Sequence, residues 1–166
     1  AYTCVSRQDL IDQGVLDTQD MLNMIGFEPI LSEGTEAYVH HFIVTGSEQG
    51  SCDDTNNFFE HVTLWAPGEG PLTLPDNLGA PLFGADGFQA FLIEVHYNNP
   101  RLDQGVIDNS GIRLYWTSQA RDEQVGVLSV GDPDGSLDGQ PVGDGYTLHQ
   151  FDCPGSCSSL VNTPVT

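Results

Sequence analysis

Three histidines in two strand-like runs are the residues of this 166-residue chain best suited to chemistry. His40 and His41 are adjacent in Ala37-Tyr38-Val39-His40-His41-Phe42-Ile43-Val44, and His96 lies in Phe91-Leu92-Ile93-Glu94-Val95-His96-Tyr97. Imidazole nitrogens on neighbouring strands can converge on a borderline metal such as copper or zinc, and the same three nitrogens would serve either ion. One geometric obstacle stands in the way. Successive residues of a regular strand face opposite sides, so both members of a His-His pair reach one ion only where the backbone twists or bulges. On spacing alone, ordinary core or surface histidines are the simpler reading. The remaining two, His61 in Phe59-Glu60-His61-Val62 and the solitary His149, read as structural.

Other chemistries find less support. There is no Gly-x-Ser-x-Gly elbow, and with four arginines and no lysine no cysteine sits in the electropositive setting that would activate a thiolate. A phosphate-cradling P-loop needs the missing lysine. The balance of 24 acidic residues against 4 basic ones, a formal net charge of −20, argues against nucleic-acid binding and polybasic membrane attachment. It suits cationic partners, divalent metals or a saline or lumenal medium. No apolar run is long enough to cross a bilayer as a helix, because even Phe88–Val95 is short and carries Glu94. The Asp- and Gly-rich stretch Gly131–Gly145 reads as a solvated turn region; it lacks the ligand order of an EF-hand.

The elements that must position the histidines are strands. Glycine (19) and proline (10) punctuate the whole length, and the runs between them are short, β-branched or aromatic, and often alternating. The pattern predicts strands at Tyr2–Arg7, Met24–Leu31, Ala37–Thr45, Phe58–Trp65, Gln89–Tyr97, Gly111–Ser118, Gln124–Val130 and Tyr146–Phe151. Eight strands of this length suit an all-β, two-sheet antiparallel sandwich of jelly-roll type. Ser6–Met24 has poor helical periodicity and reads as an irregular loop with room for a helical turn. No repeat or linker divides the chain, so residues 1–166 are expected to form a single domain. Cys4, Cys52, Cys153 and Cys157 form no zinc-finger spacing; two disulfides are the economical reading, with three pairings possible by counting, and they imply an oxidising compartment.

Longer motifs around the histidines carry a resemblance. Phe27-Glu28-Pro29-Ile30 and Gly34-Thr35-Glu36-Ala37-Tyr38-Val39-His40-His41-Phe42, followed by Glu94-Val95-His96-Tyr97-Asn98-Asn99-Pro100 and Asp108-Asn109-Ser110-Gly111-Ile112-Arg113-Leu114-Tyr115-Trp116-Thr117, resemble the copper type II, ascorbate-dependent monooxygenases. This is the family of dopamine β-monooxygenase and peptidylglycine α-hydroxylating monooxygenase. Tyr2-Thr3-Cys4 and Trp65-Ala66-Pro67-Gly68 are similar to the opening and middle of the family's N-terminal domain. The resemblance implies a jelly-roll-like domain that holds one copper ion through His40, His41 and His96, stores electrons delivered from ascorbate, and links Cys4 to Cys52. It places the protein in an extracellular or secretory lumenal setting.

Departures from the family pattern limit the function this chain can carry. In the family, oxygen is activated at a second copper held by a later domain with a His-x-His motif and a Met, and neither appears before Thr166. No catalytic residue is therefore assigned here, and the chain alone is expected to be inactive. It starts at Ala1 without a leader, as a processed product or a piece of something longer would. Cys153 and Cys157 resemble a Cys-x3-Cys whose family partners lie further along, so they pair with each other, stay reduced, or bond elsewhere. Ser47 stands about where the family often has a cysteine. Three readings remain: the electron-transfer half of a monooxygenase, partnered by a second copper domain; a stand-alone copper-binding module; and a non-catalytic subunit of an extracellular or lumenal assembly.

Overall fold

A computed structural model describes residues 1–17, 21–49, 51–54, 58, 60–84, 87–127 and 145–146. The chain divides into two compact units, Ala1–Val127 and Leu128–Thr166. Of the second, only residues 145 and 146 are described. Most of the expected strand Tyr146–Phe151, the Asp-rich loop, His149, Cys153 and Cys157 lie outside the described residues.

The first unit is nearly all β. Its elements are β1 (Tyr2–Ser6), α1 (Arg7–Asp12), β2 (Leu22–Ile30), β3 (Val39–Ser47), β4 (Glu60–Trp65), β5 (Leu72–Thr73), β6 (Leu78–Phe83), β7 (Ala90–Tyr97), β8 (Gly111–Thr117) and β9 (Glu123–Gln124). One sheet has the order β1-β7-β3-β4. The other runs β5-β2-β6-β9, with β8 also paired to β2 along its length. All pairings are antiparallel except β6 with β9. The result is the expected two-sheet sandwich.

The core lies between the sheets. Val44, Val62 and Phe91 from the first sheet meet Leu22, Met24, Leu82 and Phe83 from the second. A second cluster joins Phe27 of β2 to Val39, Phe42 and Trp65 directly beneath the histidine strand. Phe42 and Val44 are fully buried. Each such side chain contributes roughly 1.5–3 kcal/mol through removal of apolar surface from water. That burial pins the register of β3, since a one-residue slip would turn Phe42 and Val44 out to solvent.

Several boundaries differ from expectation, each for a physical reason. Ser6–Met24 is not an irregular loop throughout: Arg7–Asp12 is an α-helix started by a capping box, in which the Asp9 amide donates to Ser6 Oγ and the Ser6 amide donates to the Asp9 carboxylate. Six residues are too few for a readable period, so capping chemistry rather than periodicity marks this helix. Strand β2 then begins at Leu22 instead of Met24. Strand β6 falls where no strand is expected, because Gly79 and Pro81 read as turn residues. Pro81 is tolerated because β9 pairs only with Leu78 and Gly79, leaving Pro81 on a stretch of β6 with β2 as its one partner strand, and Gly79 sits where a Cβ would crowd Arg121 and Asn23. Strand β5, two residues long, has no length in which to show alternation.

Candidate metal centre

Strands β3 and β7 lie side by side, and their shared ladder brings the three histidines together. From Ser47↔Ala90 up to His41↔His96 the register is continuous; the next pair is Val39↔Tyr97. Two steps along β3 thus match one step along β7, which makes His40 the extra residue of a β-bulge. The burial pattern requires it. Val39 and Phe42 are both buried although three residues apart, an odd spacing that would put them on opposite faces of a regular strand. The bulge absorbs the surplus residue, so Val39 and Phe42 both face the core and His40 and His41 both turn outward.

The geometric obstacle posed by the adjacent pair is thereby removed. His40 Nδ1 and His41 Nδ1 stand 3.0 Å apart. Ring centroids are 5.1 Å apart for His40 with His41, 5.1 Å for His40 with His96, and 4.7 Å for His41 with His96. One nitrogen from each of the three rings falls within 4.8 Å of the others, the only such cluster among the described residues. Imidazole nitrogens bound about 2.0–2.1 Å from one ion stand roughly 3 Å apart. The His40–His41 pair already has that spacing, and the donor set suits a single borderline metal once the three nitrogens draw in from a spread of up to 4.8 Å.

Electrostatics favour an uncharged His41 ring. Burial holds the His41 pKa below its ordinary value, and the neighbouring His96 and His40 push it the same way, against the opposing charge of Glu94. A neutral ring keeps a nitrogen lone pair available, as metal binding requires. His40 and His96 are exposed and His41 is half-buried, so the cluster opens to solvent.

A polar network borders the same end of the ladder. Tyr97, the last residue of β7, donates its hydroxyl to Asp108 Oδ2 over 2.7 Å, and Ser110 Oγ donates to Asp108 Oδ1 over 2.6 Å. Thr35, in the turn ahead of β3, donates to the same Oδ1. Tyr38 donates to Asp103 over 2.8 Å, and the Asn98 amide donates to the Tyr38 carbonyl over 2.8 Å. Asp108, Tyr97, Thr35 and Tyr38 fall within the sequence motifs, yet nothing in the linear sequence assigns any of them a role. The available signal was a row of polar residues immediately flanking both histidine runs.

The other candidate residues are dispersed. His61 is exposed on β4, opposite Thr45 and outside the cluster. Cys4 of β1 and Cys52 are joined by a disulfide with Cα atoms 5.6 Å apart. Ser47, at the end of β3, is buried. No described helix is long and apolar enough to cross a membrane.

Residues 13–104 match the domain family described as copper type II ascorbate-dependent monooxygenase, N-terminal domain. That span includes all three histidines of the cluster. Dopamine beta-hydroxylase of Rattus norvegicus is 39% identical over 125 residues, covering 66% of this chain and 20% of that protein. Tyramine beta-hydroxylase of Caenorhabditis briggsae is 30% identical over 142 residues, 78% of this chain and 24% of its own length. Human DBH-like monooxygenase protein 1 is 30% identical over 129 residues, 68% of this chain and 21% of that one. The chain thus spans about a fifth of the length of the curated relatives it matches.

Proposed function

Since the chain belongs to the copper type II ascorbate-dependent monooxygenase family, we propose that it is the electron-transfer domain of such an enzyme and that His40, His41 and His96 hold its one copper ion. The observation that carries this reading is the bulge at His40, which turns two adjacent histidines toward a third on the neighbouring strand. The same bulge that lets Val39 and Phe42 share the core face leaves both histidines facing outward.

Copper held there supplies a one-electron couple, charged from ascorbate and drawn on by an oxygen-activating centre. The chain's own residues do the rest. Three neutral imidazoles suit copper in either oxidation state. Their exposure leaves an approach for a small reductant, and the β3–β7 ladder holds their backbone positions fixed through each electron transfer. Glu94, on the face that carries His96 and His41, adds a negative charge that favours the more oxidised ion. Oxygen activation and hydroxylation belong to a second copper domain, and the substrate is set there. The Cys4–Cys52 disulfide supports residence in an extracellular or secretory lumenal compartment.

Copper titration of the purified chain, followed by electron paramagnetic resonance, tests the reading. One equivalent of Cu(II) with nitrogen hyperfine structure is expected in the wild type, and His96→Ala should lose it. A wild-type chain that is folded by circular dichroism yet takes up no copper would overturn the proposal and leave a non-catalytic subunit as the better account. Selective uptake of zinc with copper excluded would also overturn it.

A further inference from the structure

The three histidines occupy the last rungs of a two-strand ladder, where strand ends ordinarily fray. His41 and His96 form the penultimate pair, His40 is the bulged residue, and Val39↔Tyr97 closes the ladder. Beyond that point one backbone hydrogen bond, from the Asn98 amide to the Tyr38 carbonyl, joins the two segments. A three-nitrogen metal site nevertheless needs its ligands held within a few tenths of an ångström, which is the ordinary task of the hydrogen bonds behind the ligands.

We propose that Asp108 is the positioning residue of the histidine centre, its carboxylate clamping together the chain segments that carry the ligands. This inference rests on the copper reading of the site. Four hydrogen bonds converge on the carboxylate from three segments. The Tyr97 hydroxyl, one residue past His96, donates to Oδ2. The Thr35 hydroxyl, in the turn that leads to His40, donates to Oδ1. Ser110 donates its hydroxyl to Oδ1 and its amide to Oδ2, which anchors the clamp to the start of β8 in the opposite sheet.

The clamp is itself locked from behind. The Ser32 amide donates to Ser110 Oγ, and the Asn109 amide donates to Ser32 Oγ, both over 2.9 Å. Thr35 is buried, and its hydroxyl also lies 3.0 Å from the Ser32 carbonyl oxygen, which ties the turn to the same network. A carboxylate is the one side chain that can accept all of these bonds at once, since its two oxygens offer about four lone-pair sites and carry a charge that strengthens each contact. Asparagine in its place would fit the space but lose the charge and put an amide NH2, a donor, where the carboxylate accepts from hydroxyl and amide donors.

The test compares Asp108→Asn, Tyr97→Phe and Ser110→Ala with the wild type, all in the full chain. Copper affinity is read by competition with a chelator, ligand geometry by the Cu(II) hyperfine coupling, and fold stability by thermal melting without metal. Asp108→Asn and Tyr97→Phe are expected to weaken copper binding by roughly 10-fold and to shift the hyperfine coupling. Ser110→Ala, which removes one donor to Asp108 and the Ser32 bond behind it, should weaken binding in the same direction. Tyr97→Phe keeps the ring and removes one hydroxyl, so it carries the test if Asp108→Asn fails to fold. Folded Tyr97→Phe with unchanged affinity and hyperfine coupling, beside a wild type that does bind copper, overturns the clamp and leaves the copper site standing. A folded wild type that binds no copper overturns both.

Discussion

Replacing both Cys4 and Cys52 by alanine is expected to cost this protein about 4 kcal/mol of stability while sparing its histidine centre. The bond closes a loop of 48 residues, and the chain-entropy relation for a loop of that length gives about 4 kcal/mol at 25 °C. Against a total stability of roughly 5–15 kcal/mol for a domain, this is a large share. At about 2–4 °C per kcal/mol for a chain of this size, the melting temperature should fall by roughly 8–16 °C. The structural consequence is local. Strand β1 is an edge strand whose one partner is β7, and Cys4 sits at its centre opposite Leu92. Without the disulfide that strand keeps its five residue pairings with β7 and the flanking backbone bonds of Ala1 and Arg7, and the β3–β7 ladder that carries the histidines keeps all of its own. Thermal melting and urea unfolding of the double variant measure the first effect, and copper titration below its melting temperature measures the second. A shift under roughly 3 °C would refute the loop-entropy argument. Loss of copper uptake in the still-folded variant would refute the claim that the site depends on the β3–β7 ladder and not on β1.

Phe42→Ala should destabilise the domain by about 3–5 kcal/mol in urea unfolding, since Phe42 is fully buried against Trp65 with ring centroids 5.2 Å apart. Gly46→Ala should cost roughly 1–3 kcal/mol through overpacking, because a Cβ there would fall 2.4–2.7 Å from the ring of Phe88. Combining it with Phe88→Leu should recover part of that cost, and strict additivity of the two changes would count against the clash. Burial opposes the charge on Asp108, but hydrogen bonds from Ser110, Thr35 and Tyr97 outweigh it and hold the pKa below its ordinary value of 3.8. The folded state therefore binds the proton less readily than the unfolded chain, and the carboxylate's contribution is fully present above about pH 4 and lost as pH falls below it. The stability gap between wild type and Asp108→Asn should narrow between pH 5 and pH 2; an equal gap at both ends would refute the assignment.

The all-β character, the two-sheet plan and the identity of the histidines were legible in the sequence. Alternation in Gly111–Ser118, where half-buried Ile112 and Leu114 flank exposed Arg113, reports local backbone state, because a strand with one buried face writes period two into its side chains. The strand-breaking look of Leu78–Phe83 misled for an equally physical reason: Gly79 and Pro81 signal turns, but the short reach of β9 makes Pro81 acceptable in a strand and the close approach of Arg121 and Asn23 suits Gly79. Helix α1 was hidden by its brevity and shown by its cap, Ser6 with Asp9.

At the centre itself the division is sharper. The sequence by itself determined that three imidazoles, two of them adjacent, lie in strand-forming runs, with motifs around them that resemble a copper-binding family. It did not determine whether that pair points one way or two. This was decided by the register of β3 against β7, a relation between residues more than fifty positions apart, which places the bulge at His40. The Asp108 network is of the same kind, since Thr35, Tyr97 and Ser110 reach one carboxylate only after three strands have packed. Ligand chemistry is a property of residue types and can be read along the chain; ligand convergence is a property of pairing between distant segments, and only the folded sheet supplies it.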